Sequence, residues 1–165
     1  MPTDDDGVER TEDGRYIVVN GRRWRASDPS IPEKLRQELV NVLMAARRAV
    51  RTEGDGARHR VQDAKVALGE RGQAWWETVD DEALRVRVAA TARSLLRHRE
   101  GTICPSDVAR VVGGESWRER MDLVREVAFA LADEGMVQVT RGGEPVARGE
   151  GSGPVRIARG ENFPE

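Results

Sequence analysis

The chain has little of the chemistry that most enzymes and metalloproteins use. Among its 165 residues there is one cysteine, Cys104, which excludes an intramolecular disulfide and the usual zinc sites built from several cysteines. The two histidines, His59 and His98, do not stand at metal-ligand spacing, and a thiol nucleophile needs a nearby base. We therefore predict a protein that is not an enzyme and has no catalytic residues, metal or cofactor. Cys104 is expected to be a small buried core residue.

Long apolar runs are also missing. No stretch approaches the roughly 20 apolar residues that cross a bilayer, and the first ten residues are acidic where a signal peptide would be basic and then apolar. The sequence thus predicts a cytoplasmic protein with no membrane partner. Positive charge is not in excess: 14 basic and 13 acidic residues precede Glu77, and 13 basic and 16 acidic residues follow from it, which sums to the 27 and 29 of the whole chain. This balance neither predicts nor excludes a locally basic face.

The N-terminal half predicts a small module behind a loose tail. Residues 1–14 are acidic and lack periodicity, so we expect a disordered tail. Residues 15–77 predict a β-hairpin followed by two helices. The hairpin turns at Asn20-Gly21, a dipeptide that accepts the positive backbone angles of a type I′ turn. The helices, near residues 33–52 and 57–68, have apolar residues at helical spacing.

The C-terminal half, residues 81–159, has a more specific pattern. Its periodicity predicts a helix, a short strand, a second helix from Pro105, a turn at Gly113-Gly114 and a third helix that carries Trp117 and ends at Gly135. A strand, a long Gly-rich loop and a returning strand follow. This order predicts a winged helix-turn-helix domain, and residues 160–165 are expected to be a frayed tail. The whole chain is thus predicted to be mostly α with small β.

Both halves resemble known bacterial families. Residues 84–159 resemble the family called domain of unknown function 3253, through the motifs Thr102-Ile-Cys-Pro-Ser-Asp-Val-Ala-Arg110, Trp117-Arg118 with Val124-Arg125, and Gly153-Pro-Val-Arg156. That resemblance implies a winged-helix fold and no assigned activity. Residues 15–77 resemble another uncharacterised bacterial family, through Gly21-Arg-Arg-Trp24 and Leu68-Gly-Glu-Arg-Gly72. Its members often carry an automatic label for Tol biopolymer transport, which the lack of a membrane helix argues against.

A winged-helix fold favours double-stranded DNA as the ligand. In such domains the third helix enters the major groove, while the wing and the start of the second helix contact phosphates. The candidate nucleic-acid-binding residues are accordingly Ser106 on the second helix, Arg118 and Arg125 on the third, and Arg141 and Arg148 in the wing.

The acidic residues of the third helix leave a second function open. Four carboxylates stand among its arginines and would oppose binding to phosphate or form ordinary intrahelical ion pairs; they are Glu115, Glu119, Asp122 and Glu126. The alternative is a protein–protein interaction adaptor with no nucleic-acid binding, in which the third helix or the Trp75-Trp76 surface meets a partner. We expect Trp24 and one member of the Trp75-Trp76 pair in the N-terminal core. The other member is then exposed or forms a hinge that docks the two modules, and we favour the hinge over an external binding site. The arginines of the first long helix form either a solvated face or a basic stripe; they are Arg36, Arg47, Arg48 and Arg51. The oligomeric state is not predicted.

Overall fold

A computed structural model describes residues 7–165 of the chain as a mixed α/β structure with two small antiparallel sheets. The first sheet has the order β1-β2-β3, from strands Glu9–Arg10, Tyr16–Val19 and Arg22–Arg25. The helices are α1 (Glu33–Glu53), α2 (Arg58–Leu68), α3 (Asp81–His98), α4 (Pro105–Gly113) and α5 (Met121–Asp133). The second sheet has the order β5-β4-β6, from β4 (Val137–Arg141), β5 (Glu144–Pro145) and β6 (Arg156–Arg159).

The first sheet contains the predicted hairpin and one strand more. Asn20 and Gly21 have φ values of 52° and 76°, as the type I′ turn requires. Strand β1 pairs antiparallel with β2 and lies in the segment predicted to be a disordered tail, so that prediction is wrong for residues 9–14. The backbone groups along the outer edge of β2 would otherwise lack partners, and a short turn brings β1 onto them, with the Thr11 N–H donating to the Tyr16 carbonyl at 3.0 Å. The remaining part of the predicted tail, residues 1–6, lies outside the described residues.

The two predicted modules share one hydrophobic core. Leu39, Leu68, Leu95 and Ile157 are fully buried members of the same cluster. Ion pairs also join the halves: Arg87–Asp28, Arg93–Asp63, Arg97–Asp63 and Arg99–Glu38. The first sheet leaves its strands half-buried or exposed and so covers little of α1 and α2. Their apolar faces are therefore buried against α3 and α4, because a core built from half of this chain would be marginal.

The C-terminal half follows the predicted order of elements with one difference. Ile103 pairs with Ile157 of β6 through two backbone hydrogen bonds of 2.8 and 3.0 Å, which form the predicted short strand contact. The third helix begins later than predicted, at Met121, because Gly114–Arg120 forms a 3-10 segment with a non-helical residue at Ser116. Trp117 and Arg118 therefore lie before the α-helix, and the prediction that both stand on the third helix is wrong.

The C-terminal residues are held against the body of the protein. The N–H of Asn162 donates to the Gly135 carbonyl at 2.9 Å, and Nη2 of Arg97 donates to the Pro164 carbonyl at 2.6 Å. Phe163 packs against the core, and the Arg97 guanidinium lies 5.6 Å from the centre of its ring. The predicted frayed tail over residues 160–165 is thus wrong, because backbone hydrogen bonds and one aromatic side chain anchor it.

The tryptophans differ in part from their predicted places. Trp24 is 40% exposed rather than buried in the N-terminal core. Trp75 and Trp76 are both half-buried and meet edge to face with ring centres 5.1 Å apart. The indole N–H of Trp75 donates to the Ala26 carbonyl at 3.0 Å, and the same ring lines a cleft with Val86 of α3. Trp75 thus lies where the N-terminal half meets α3, as the hinge prediction requires, whereas Trp76 contacts Tyr16 of the first sheet with ring centres 5.6 Å apart.

Candidate nucleic-acid interface

The corner between α4 and α5 presents two arginines that are stacked on one tryptophan. The guanidinium carbons of Arg110, on α4, and Arg118, in the 3-10 segment, lie 4.6 and 4.5 Å from the centre of the Trp117 ring. Trp117 is half-buried and packs against the core, so it provides a fixed platform for both side chains. Such contacts stabilise an exposed cation by about 0.5–1 kcal/mol each. Both arginines are exposed, and neither has a carboxylate partner among residues 7–165. Two guanidinium groups are therefore available to an external anion here.

Arg125 supplies a third exposed guanidinium, on α5. Within the described part of the chain it forms no ion pair, including the intrahelical pairs with Asp122 or Glu126 that the spacing allows. Glu126 is instead bound across the helices by Arg85, with Nη2 of Arg85 2.8 Å from Oε2. The hydrogen bonds that Arg85 donates to Asp81 and then to Glu126 raise the pKa of Arg85. This bridge to α3 neutralises the carboxylate that follows Arg125 in the sequence.

Acidic residues around the corner are only partly neutralised. Asp107 on α4 binds Arg99, with its Oδ2 2.7 Å from Nη1, and Arg99 also binds Glu38 of α1 at 2.8 Å. Hydrogen bonds to Glu38 are the main cause that raises the pKa of Arg99. Three exposed carboxylates near Arg118 have no ion-pair partner in the described ranges; they are Glu115, Glu119 and Asp122. The surface is thus mixed in charge, and two of its guanidinium groups are stacked on Trp117.

The two predicted wing arginines bind the protein itself. Arg141 donates through Nη1 to the Glu150 carbonyl at 2.9 Å, across the loop between β5 and β6. Nη2 of Arg148 lies 3.1 Å from Oδ2 of Asp133 at the end of α5, and its guanidinium faces the Phe129 ring at 5.7 Å. These contacts fix the shape of the loop and its position beside α5.

Ser106, the predicted contact at the start of α4, has a local partner. Its hydroxyl oxygen lies 2.9 Å from the sulfur of Cys104. Cys104 itself is half-exposed at the N-cap of α4, so its predicted burial in the core is wrong. The residue before a helix that starts with proline lies at the edge of the fold, and the neighbouring Ile103 fills the core position instead.

Sequence analysis missed Arg110, although its motif ends on that residue. Arg110 and Trp117 are separated by the Gly113-Gly114 turn, so helical periodicity does not relate them. Gly114 has φ of 56°, which reverses the chain and brings Trp117 back beside α4. The sequence signal for such a stack is an arginine before a glycine turn and an aromatic residue shortly after that turn.

Among residues 7–165 no group of three or more histidine, cysteine or acidic side chains is placed to hold a metal ion. Over the same residues no helix has the length and apolar character needed to span a membrane.

Comparison with known proteins supports the resemblance of the C-terminal half. No curated protein matches the sequence. The resemblance stated for residues 15–77 stays a prediction. Residues 85–160, which run from α3 to the end of β6, match the family model described as "Protein of unknown function (DUF3253)", and this match covers the corner with Arg110, Arg118 and Arg125.

Proposed function

We propose that residues 81–159 form a winged helix-turn-helix domain that binds double-stranded DNA through the corner between α4 and α5. The order of elements supports this topology: α3, the Ile103 strand contact, α4, a glycine turn, α5 and a β-hairpin with a long loop. In helix-turn-helix proteins the start of the third helix meets the base edges. DNA binding places the protein in the bacterial cytoplasm.

The stack of Arg110, Trp117 and Arg118 is the observation that carries the proposal. Guanidinium groups held by an aromatic ring are pre-organised, and arginine binds phosphate or guanine in bidentate geometry. Arg125 lies further along α5 and adds a third cationic contact. Because the segment before α5 is a 3-10 turn, Arg118 reaches the ligand from a direction different from that of Arg125.

The wing acts as a positioned loop in this proposal. Arg141 and Arg148 hold the loop on β4 and α5, so their side chains orient backbone groups toward a phosphate rather than binding it directly. The unpaired acids at the corner, such as Glu119, oppose the phosphate backbone and keep non-specific affinity low.

Fluorescence anisotropy with a labelled duplex, titrated from low to physiological salt, tests the proposal. Each lost phosphate contact lowers the slope of log affinity against log salt by about 0.9 for a duplex. The Arg118→Ala/Arg125→Ala double variant is therefore expected to reduce that slope by about 1.8. The matched control is Lys34→Ala/Arg48→Ala, which removes the same charge from exposed positions of α1.

The outcomes separate the two candidate functions. Loss of duplex binding in the Arg118/Arg125 variant, with binding retained in the control, supports a DNA interface at the corner. No binding of the unaltered protein at low salt would sink it and leave the adaptor function. Val79 and Val86 favour that second candidate, because they are 39% and 49% exposed beside Trp75 at the junction of the halves. Pull-down with Val86→Glu protein tests it, since a charge there should abolish docking.

A further inference from the structure

A second cationic site lies between α1 and α2, away from the corner described above. The two helices and the turn after α2 border an open cleft of about 560 Å³. Its floor is apolar, from Val50 and Val61. Four arginines surround that floor: Arg47, Arg51, Arg58 and Arg71. The sequence predicted either a solvated face or a basic stripe for the arginines of α1. In the structure two of these arginines, Arg47 and Arg51, line a concave site.

The charge of this cleft is only partly balanced by acids. Arg58 is paired with Asp55, with Nε 2.6 Å from Oδ1. Nη1 of Arg71 donates to the neutral amide oxygen of Gln62 at 2.6 Å, which leaves its charge uncompensated. Arg47 and Arg51 lie one helical turn apart, and within the part of the chain that the structure describes neither forms a direct ion pair, although the Glu70 carboxylate attracts Arg47 from a greater distance. Three positive charges thus face one cleft.

The positive potential extends along α2 to Lys65. Burial is the first cause that lowers the pKa of Lys65, and repulsion from Arg71 and Arg47 lowers it further, while Glu70 acts in the opposite direction. Close approach of like charges costs free energy unless an anionic ligand relieves it. The ammonium group of Lys65 also lies 5.3 Å from the centre of the Trp24 ring.

An apolar and aromatic hollow adjoins the cleft. It encloses about 300 Å³, and Arg47 lines both concavities. Trp24, Ile17 and Val19 form its apolar part, and Trp24 and Val19 are 40% and 45% exposed. The rest of its lining is charged, from Arg25, Arg47, Lys65 and Glu70. The guanidinium carbon of Arg22 lies 4.2 Å from the centre of the Trp24 ring and covers part of the indole. The Arg22 side chain is exposed at the surface. An aromatic ring beside a row of cations is the arrangement that binds alternating bases and phosphates.

We propose that this cleft and the Trp24 hollow together bind single-stranded nucleic acid. The guanidinium groups of Arg47, Arg51 and Arg71 contact successive phosphates, and a base lies against Trp24 after Arg22 has moved aside. A duplex keeps its bases stacked inside, so it cannot use the apolar floor or the indole. An inorganic anion would use the arginines alone and leave the apolar surface unexplained. The site shares no residue with the corner of α4 and α5, so this inference stands independently of duplex binding.

Anisotropy with a labelled oligodeoxythymidine of about 16 nucleotides, the upper end of a single-domain site, tests the charged part. For single strands each phosphate contact contributes about 0.7 to the salt slope, so three contacts predict a slope of about −2.1. For the Arg47→Ala/Arg51→Ala variant of the full chain, which keeps one of the three contacts, the expected slope is about −0.7. The control Lys34→Ala/Arg48→Ala removes equal charge from α1 outside the cleft and should keep the full slope.

The aromatic part has its own signature. Trp24→Ala should weaken oligonucleotide binding by about 5- to 150-fold without changing the salt slope, because stacking involves no counterion release. Circular-dichroism melts confirm that each variant is folded, as expected for exposed side chains.

Several outcomes would overturn the inference. The first is that the unaltered protein does not bind the oligonucleotide at low salt. The second is that the charge-matched control loses as much of the salt slope as the Arg47→Ala/Arg51→Ala variant. The third is that Trp24→Ala changes the salt slope but not the affinity. Competition by duplex DNA or polyglutamate as strong as that by oligodeoxythymidine would also overturn it, and would point to a non-selective anion site or an acidic protein. Arg118→Ala/Arg125→Ala protein should bind the oligonucleotide normally, so failure here and failure of duplex binding are distinguishable.

Discussion

Replacement of Asp63 by alanine should destabilise the whole chain, because this carboxylate joins the two halves. Asp63 lies on α2 with a side chain only 10% exposed. It accepts hydrogen bonds from Nη2 of Arg93 at 2.9 Å and from Nη1 of Arg97 at 2.6 Å, both on α3. Arg97 is 7% exposed, and burial is the main cause that lowers its pKa. The variant leaves two guanidinium groups facing a buried gap.

The expected loss of unfolding free energy follows from the cost of leaving a buried charge without its partner. Removing one member of such a pair costs about 3–5 kcal/mol. Arg97 retains the Pro164 carbonyl as an acceptor, whereas Arg93 keeps no acceptor among residues 7–165. With a urea dependence of about 2 kcal/mol per molar, the unfolding midpoint should fall by about 1.5–2.5 M.

Urea unfolding followed by both circular dichroism and tryptophan fluorescence measures this effect. The unaltered protein should unfold in one transition by both probes, because both halves contribute to the shared core and Trp75 and Trp117 lie in different halves of the chain. Asp55→Ala is the matched control, since Asp55 pairs with Arg58 at 2.6 Å but is 87% exposed, and its loss should leave the midpoint unchanged. Two separate transitions, or a loss for Asp63→Ala no larger than for Asp55→Ala, would refute the reasoning.

Two further predictions concern a buried acid and a strained glycine. Burial raises the pKa of Glu70 above its ordinary 4.5, and Oε2 has no hydrogen-bond partner in the described residues. The folded state therefore holds its proton longer than the unfolded state, so Glu70 lowers stability as pH rises above 4.5. Glu70→Gln should raise the melting temperature at pH 7 and leave it unchanged at pH 3.5, and an equal gain at both would contradict the titration. Gly114 has φ of 56° and ψ of −127°, and an added Cβ would lie 3.1 Å from Cβ of Ser30. Gly114→Ala should lower the free energy of unfolding by about 1–3 kcal/mol in urea titration, whereas Gly56→Ala, with open space and an ordinary φ, should not.

Local chemistry made much of the secondary structure predictable from sequence. The Asn20-Gly21 turn, the start of α4 at Pro105 and the end of α5 before Gly135 all lie where predicted. Each depends on one residue type whose backbone preference is fixed by its own covalent structure. The apolar stripes of α1 and α3 were equally clear, because a helix that buries one face repeats its apolar residues at a fixed period.

Long-range packing decided the features that the sequence misassigned. The sequence predicted a division into two modules between residues 77 and 81, but not that the helices on both sides would bury their apolar faces in one core. The tail predicted to fray is anchored because Phe163 finds a site beside Arg97, a contact across 66 positions of sequence. Such contacts depend on three-dimensional proximity, which periodicity does not encode.

The arginines of the candidate sites show the same difference between what the sequence predicts and what the tertiary structure decides. Sequence alone identified arginines in the third helix, the wing and α1, and could not rank them, because every guanidinium has the same charge and reach. The tertiary structure bound Arg141 and Arg148 to protein groups, left Arg118 exposed on Trp117, and placed Arg47 at the edge of a cleft. How freely a guanidinium can bind a ligand depends on which protein groups folding places within its reach, and that is decided by the tertiary structure.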